Sequence, residues 1–325
     1  MKTILNTFVV LAVGVLVGCG AAAGEKLLTV DFQEGQTLRY RFVSNRQTTV
    51  DWSAASGGSK SDKHKVDKFY EEVKMVVAYT PIEVDPYGFT TIKAACESIK
   101  TKRSSRKHQA GSSRDAVETL TGKTFTFTVS AAGKIDDYSQ LEKLIRQAGE
   151  KAFRRSSKQG RIKAPDMIDD FISAQWFLWD SVASMENRLE GIRVGQTWNS
   201  KLPVPTQMVL RKARNVTYTL DEIRETEQGQ LAVIRSSYSP AKSAPRNWPV
   251  AYTGKFQVSG TFGFLRGYRV TELQGEGEEL FNIDAGRTEK YNQQYQVKMN
   301  CSLPMGIGGT ILITVKQKLT MQLLP

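Results

Sequence analysis

Apolar and polar residues alternate with period two over most of this chain. Val73, Met75, Val77 and Tyr79 fall on one face, with Glu72 and Lys74 on the other. Phe125, Phe127 and Val129 alternate with threonines, and Val216, Tyr218 and Leu220 repeat the pattern, as do Phe256, Val258, Phe262 and Phe264. The clearest runs close the chain. Tyr291, Tyr295, Val297, Met299 and Cys301 oppose Asn292, Gln294, Gln296, Lys298 and Asn300, and Ile311, Ile313, Val315, Leu319, Met321 and Leu323 form a second such face. The Pro- and Gly-rich residues 302–310 between them predict the turn of a long hairpin. One wet face and one buried face is the signature of antiparallel strands.

Two segments follow a helical period instead. Over Ser139 to Ser157, Leu141, Leu144, Ile145, Ala148 and Ala152 share a face opposite a basic side, with Ser139 as the expected cap. Pro165 to Leu189 reads as a second helix, its stripe running through Ile168, Phe171, Ile172, Trp176, Leu178, Trp179, Val182, Met185 and Leu189. Pro165 suits a first-turn position, and Asp166, Asp169 and Asp170 suit a positive helix start. Phe177 points away from that stripe. The Ser- and Lys-rich stretches Ser53 to Lys68 and Ser104 to Ser113 read as long, mobile hairpin tips.

Short motifs recur in order around these helices. Gly35-Gln36-Thr37-Leu38 is echoed by Gly195-Gln196-Thr197-Trp198, and Tyr79-Thr80-Pro81-Ile82-Glu83 by Tyr218-Thr219-Leu220-Asp221-Glu222. Each of the latter pair is followed by a glycine turn, at Gly88 and Gly229. Phe127-Thr128-Val129-Ser130 leads to Gly133, as Phe281-Asn282-Ile283-Asp284 leads to Gly286. The expected fold is therefore α+β and predominantly antiparallel β. Two β-rich repeat halves would form a curved sheet or sheets, with two central helices packed on one face.

The N-terminus carries an address. Lys2 precedes a short apolar core, and Leu16-Val17-Gly18-Cys19 then reads as a lipobox whose cysteine becomes the acylated N-terminus. The apolar run is well short of the roughly 20 residues that a spanning helix needs. Cleavage at Ala21-Ala22-Ala23, giving a soluble secreted protein, and retention as an uncleaved membrane tether stay open as alternatives. No Asp follows Cys19, so the expected destination is the outer membrane, facing the periplasm. The segments are then a signal peptide (1–18), a tether (19–34), an N-terminal β repeat (35–135), a helical segment (136–192) and a C-terminal β repeat (193–325).

Charge adds one surface and chemistry adds little. The 325 residues carry a formal net charge of +12. Lys100, Lys102, Arg103, Arg106 and Lys107 form one cluster, and a second contains Arg146, Lys151, Arg154 and Arg155, the candidate contacts to a polyanion. The same clusters also suit a merely solvated surface. No nucleic-acid motif is present, and nucleic acid is not an expected partner. Cys96 and Cys301 sit at inward strand positions, where they either form a disulfide or remain buried thiols.

The only histidines, His64 and His108, lie in the two polar loops, away from any nucleophile. No metal-binding, phosphate-cradling or dinucleotide motif occurs. Asp136-Asp137 and Asp169-Asp170 sit at helix starts, where capping explains them. No catalytic residue, metal or cofactor is expected. Trp176, Phe177 and Trp179 are the candidate ligand-facing side chains, set on a helix that would either fill the sheet or line a cavity.

The signal, the strand-rich halves and the glycine turns at Gly133 and Gly286 resemble an uncharacterised family of duplicated β-rich bacterial lipoproteins. The element pattern is similar to that of the Lol-type lipoprotein carriers, by architecture alone. This implies a membrane-anchored, non-enzymatic binding protein for a lipid-like ligand or an envelope partner. The alternative is a structural or assembly lipoprotein that bridges the membrane to anionic wall polymer or lipopolysaccharide through its basic surface.

Overall fold

A computed structural model describes residues 25–53, 66–103, 117–154, 166–186, 190–204, 213–243, 266–302 and 310–325. Outside these lie Cys19 with its lipobox (Leu16, Val17 and Gly18), Arg155, the alternating run from Phe256 to Phe264, and the loop from Ser104 to Ser113. The side chains of Arg146, Lys151 and Arg154 are likewise outside the description.

Eleven strands are described. In chain order β1 is Leu38–Asp51, β2 Val66–Val84, β3 Thr90–Arg103, β4 Thr124–Val129 and β5 Ile135–Asp137. Three helices follow, α1 Ser139–Arg154, α2 Asp166–Phe177 and α3 Asp180–Ala183. The chain then returns to strands: β6 Thr197–Pro203, β7 Ala213–Thr226, β8 Gly229–Pro240, β9 Arg266–Asn282, β10 Arg287–Ser302 and β11 Thr310–Leu324.

All eleven form one antiparallel sheet in the order β5-β4-β3-β2-β1-β11-β10-β9-β8-β7-β6. Apart from β5 and β6, which end the sheet, each strand pairs with its neighbours in sequence, and β1 pairs with β11. The order is that of an up-and-down barrel opened at one seam, between β5 and β6. The long strands bury every second residue, as in β1, where Tyr40, Phe42, Ser44, Arg46, Thr48 and Val50 point inward. The final hairpin pairs Ser302 with Thr310 as the alternation predicts.

Two contacts show that the sheet curls. Trp179 packs on Phe127 of β4, with ring centroids 6.3 Å apart. Two residues later the Ser181 carbonyl accepts a hydrogen bond from the Trp198 indole of β6. In a flat sheet β4 and β6 would lie about 43 Å apart, at 4.7–4.9 Å per strand. Adjacent residues of one short helix reach both, so the sheet wraps round α2 and α3. An isolated twelve-residue helix is marginal in water. Packing holds this one, because Phe171, Ile172 and Phe177 are all buried, each contributing about 1.5–3 kcal/mol.

The helices depart from the sequence expectation. Pro165 to Leu189 is not a single helix among the described residues: it breaks after Phe177 and restarts at Asp180. At the break the Leu178 carbonyl accepts the Thr288 hydroxyl, 2.9 Å away. The resulting bend lets Phe177, Leu178 and Trp179 all enter the core. Phe177 is accordingly buried, against the outward direction its helical position suggested. Asp170 does not cap a helix; it pairs with Arg46 in the interior. The Asp137 carboxylate does serve a helix start, accepting the Ser139 N–H at 2.9 Å.

Residues 25–34, expected as tether, are part of the fold. Lys26 bridges to Ile192, Leu28 and Val30 are buried, and Phe32 meets the edge of Trp179. Of the two alternatives left open for Cys96 and Cys301, the structure shows free, buried thiols. Cys96 lies in the row of Tyr40 and Val77, whereas Cys301 pairs with Ile311, beyond the row of Val50 and Ile313. That places them roughly 40 Å apart along the strands, far beyond the reach of a disulfide. Burial pushes both thiols up to about 12.

The two motif sets occupy matching places. The Gly35 N–H donates to Pro81 and the Gly195 N–H to Leu220, both glycines having positive φ. Leu38 pairs with Tyr79 as Trp198 pairs with Tyr218. A register shift follows both Pro81 and Leu220. Further along, Ile92 faces Phe127 where Ile234 faces Glu279, so Glu279 stands in the place of Phe127, two residues from the match the sequence suggested.

Candidate functional site

The open seam holds a cleft of about 990 Å³. One wall is the β4–β5 turn and β5, including Ile135 and Tyr138; the opposite wall is β6, through Asn199, Ser200 and Lys201. The bend between α2 and α3 forms the floor, with Gln175, Trp176, Trp179, Asp180, Ala183 and Met185. Among the described strands β5 pairs only with β4 and β6 only with β7, so both walls are free sheet edges. An apolar floor with a few polar groups at its margin is the usual make-up of a small-molecule site.

Trp176 is half-buried and meets Tyr138 edge-on, at 5.6 Å between ring centroids. Trp179 is almost wholly buried among Phe32, Tyr79 and Phe127. Its indole N–H has no hydrogen-bond partner among the described residues. Below it the Gln175 side chain accepts the Tyr79 hydroxyl at 2.6 Å and donates to the Phe171 carbonyl. These bonds fix the floor to β2.

Asp180 ties the floor to the far wall by accepting hydrogen bonds from Ser200 of β6, at 2.9 Å, and from Tyr218 of β7. Burial pushes its carboxyl up to about 6, against the pull of those hydrogen bonds and of the Arg214 charge. Glu279 on β9 is also buried, with a carboxyl oxygen 2.6 Å from the Thr288 hydroxyl oxygen. Burial pushes it up to about 7, and the Asp180 charge adds to the effect. Both buried acids thus titrate above the usual carboxylate range, Glu279 closest to neutral pH.

A polar row crosses the inner face beside the helices. Tyr238, Gly275, Tyr295, Gln317, Arg46 and Glu71 are successive cross-strand partners from β8 to β2. Arg46 is buried and pairs with Asp170 of α2 and with Glu71, 3.5 Å away. Gln317 donates to Asp170 and Ser44 and accepts from Tyr295, which closes the network. This network anchors the start of α2 to the middle of the sheet.

Of the three aromatic residues picked out by sequence, Trp176 and Trp179 line the cleft and Phe177 does not. Phe177 faces the opposite way, packing on Tyr291 and Arg214. Sequence reasoning missed Tyr138, Asp180 and Ser200, which become neighbours only when β5 and β6 are brought to one seam. A second hollow, of about 1020 Å³, lies on the outer face of the sheet, against Gln47, Glu72, Lys102, Gln294, Lys316 and Lys318. These are outward members of the alternating strands. Among the described residues no group of three or more His, Cys, Asp or Glu is placed to hold a metal ion. No described helix is long and apolar enough to cross a membrane.

The fold and cleft define a class: one curled antiparallel sheet, open along a seam and lined there by an aromatic helix pair. No family model matches the chain, and no curated protein matches it by sequence. Among solved structures it is similar to one described as "lipid-protein interactions in lipovitellin", with a TM-score of 0.45 and 11% identity. That match covers 91% of this chain and 26% of the other, so the chain spans about a quarter of the lipovitellin length. A second match is to the outer membrane protein OprG from Pseudomonas aeruginosa, with a TM-score of 0.15 and 8% identity, covering 90% of this chain and 96% of that one. Likenesses this distant carry no argument about function.

Proposed function

We propose that the protein is a non-enzymatic, lipid-anchored binding protein of the bacterial envelope, and that the cleft at the β5–β6 seam takes an apolar or lipid-like ligand. The observation that carries this reading is the cleft itself: about 990 Å³, floored by Trp176, Trp179, Ala183 and Met185. A volume of that order accommodates an acyl chain or a molecule of drug size.

The reading places Cys19 at the outer membrane, with the folded body in the periplasm. It also takes the chain as a duplicated β unit, on the strength of the matched turns at Gly35 and Gly195 and the matched register shifts after Pro81 and Leu220.

Mass spectrometry of organic extracts from purified protein should detect a co-purifying amphiphile. Added monoolein should bind to the delipidated protein, and Trp176→Ala should weaken that binding several-fold while leaving the thermal transition nearly unchanged. Clean extracts together with no monoolein binding would remove the reading. Cys19→Ser should release the protein from the membrane fraction; continued membrane attachment would remove the anchor.

A further inference from the structure

Arg214 enters the interior from β7, two residues before Val216, and is fully buried. Its guanidinium carbon lies 4.4 Å from the centre of the Tyr238 ring, 4.9 Å from that of Tyr295 and 5.7 Å from that of Phe177. Three aromatic faces thus surround a cation, an arrangement that keeps it charged out of water. The described residues supply it with a single acceptor, Gln293 Oε1, 3.0 Å from Nη2. Its Nε and Nη1 groups have no partner, and neither has the Gln293 side-chain amide nitrogen. Nε carries one N–H, and Nη1 and the Gln293 nitrogen two each, so several unsatisfied donors converge where no acceptor faces them. The nearest acid, Asp180, acts on Arg214 only through space, because its oxygens are held by Ser200 and Tyr218.

The surrounding strands are built to keep this place. On β9, Gly275 lies between Tyr238 of β8 and Tyr295 of β10, and Gly277 between Ser236 and Gln293. A Cβ on Gly277 would stand 2.5 Å from Ser236 Oγ and 2.7 Å from the Tyr238 hydroxyl. The tyrosines are held in turn, since the Tyr238 hydroxyl lies 2.8 Å from that of Tyr291 and donates to Gln293 Oε1 at 3.1 Å. Cage, fork and supporting hydrogen bonds therefore converge on one place in the interior.

We propose that Arg214 and Gln293 form an oxyanion site, taking the carboxylate or phosphate oxygens of an anionic ligand through the free guanidinium and amide N–H groups. This deepens the reading of the seam cleft, because Trp176 and Phe177 are consecutive in α2: one lines the cleft and the other closes the cage. An amphiphile held by the cleft would have its charged head recognised on the other side of the same helix.

The test uses delipidated full-length protein and calorimetric titration with oleate, with monoolein as its uncharged counterpart, and with inorganic phosphate. Oleate should bind roughly tenfold or more tightly than monoolein, the scale of a charge-assisted hydrogen bond. Arg214→Met should bring oleate down to the affinity of monoolein and leave monoolein unchanged. Arg214→Lys, which keeps the charge but loses the fork, should fall between them. Phosphate binding that depends on Arg214, without an oleate preference, would assign the site to a free oxyanion. Wild-type protein that binds monoolein but neither prefers oleate nor takes phosphate would overturn the proposal and leave the cleft intact. Failure to bind any of the three would remove both.

Discussion

Among the described residues two arginines are buried inside this sheet, and their surroundings could hardly differ more. Arg46, on β1, is met by Asp170, Glu71 and Gln317, so its charge is neutralised and its donors are engaged. Arg214, on β7, has three aromatic rings and one amide oxygen, with no carboxylate bonded to it. Burying an ion costs several kcal/mol unless a partner and further hydrogen bonds offset it. Arg46 meets that condition and acts as a structural pin, fixing the start of α2 to the sheet. Arg214 does not, and a cation left in that state by a well-packed interior is better suited to binding than to stability. The contrast shows that the same residue at the same kind of inward position takes opposite roles, according to whether an acid sits opposite.

The sharpest way to break this comparison is to remove each charge in turn. Asp170→Ala leaves Arg46 without its main counter-ion and should lower unfolding free energy by about 3–5 kcal/mol. Arg214→Met, of similar length but uncharged, should leave stability unchanged or raise it by about 1–4 kcal/mol. Chemical denaturation measures both; similar losses for the two would show that Arg214 is also a structural partner.

The next effect is one of pH. Glu279 and Asp180 hold their protons more tightly in the folded state, with values of about 7 and 6, than in the unfolded chain. The folded state therefore binds more protons between roughly pH 4 and 7, and this contribution is present at low pH and lost as pH rises through that window. For Glu279 it is on the order of 3 kcal/mol. Glu279→Gln should flatten the decline in stability between pH 5 and 8, as followed by thermal melts, and an unchanged slope would place the cause elsewhere.

A smaller effect tests the cage. Gly277→Ala should cost about 1–3 kcal/mol by crowding Ser236 and Tyr238, and should loosen the oleate preference more than the affinity for monoolein. Equal loss for both ligands would mean the glycine serves packing alone.

Much of this architecture can be read along the chain, because a half-buried strand imposes period two on its own sequence. The strands β2, β7, β10 and β11 follow that signal closely, and so does the hairpin joining Ser302 to Thr310. β5 has only three residues, Ile135–Asp137, too few to show a period, so one wall of the cleft left no trace. Trp176 and Trp179 were legible as aromatic residues on a helix, but the bend after Phe177 was not, since it depends on Thr288 taking the Leu178 carbonyl from 110 residues away. The charged residues inside were not picked out along the chain. Arg46 falls between inward Ser44 and Thr48, and Arg214 two residues before inward Val216. A charge at an inward register position announces a buried network or a site, without saying which.

By itself, then, the sequence determined which residues face inward, where the turns fall and that the sheet is antiparallel, because these follow from local backbone geometry and from burial repeated every second residue. Only the tertiary structure decided that eleven strands form a single sheet, that it curls until β5 and β6 meet across a cleft, and that one interior arginine finds its acid while the other does not. Those outcomes depend on contacts between residues far apart in the chain, and no local pattern encodes the distance between them.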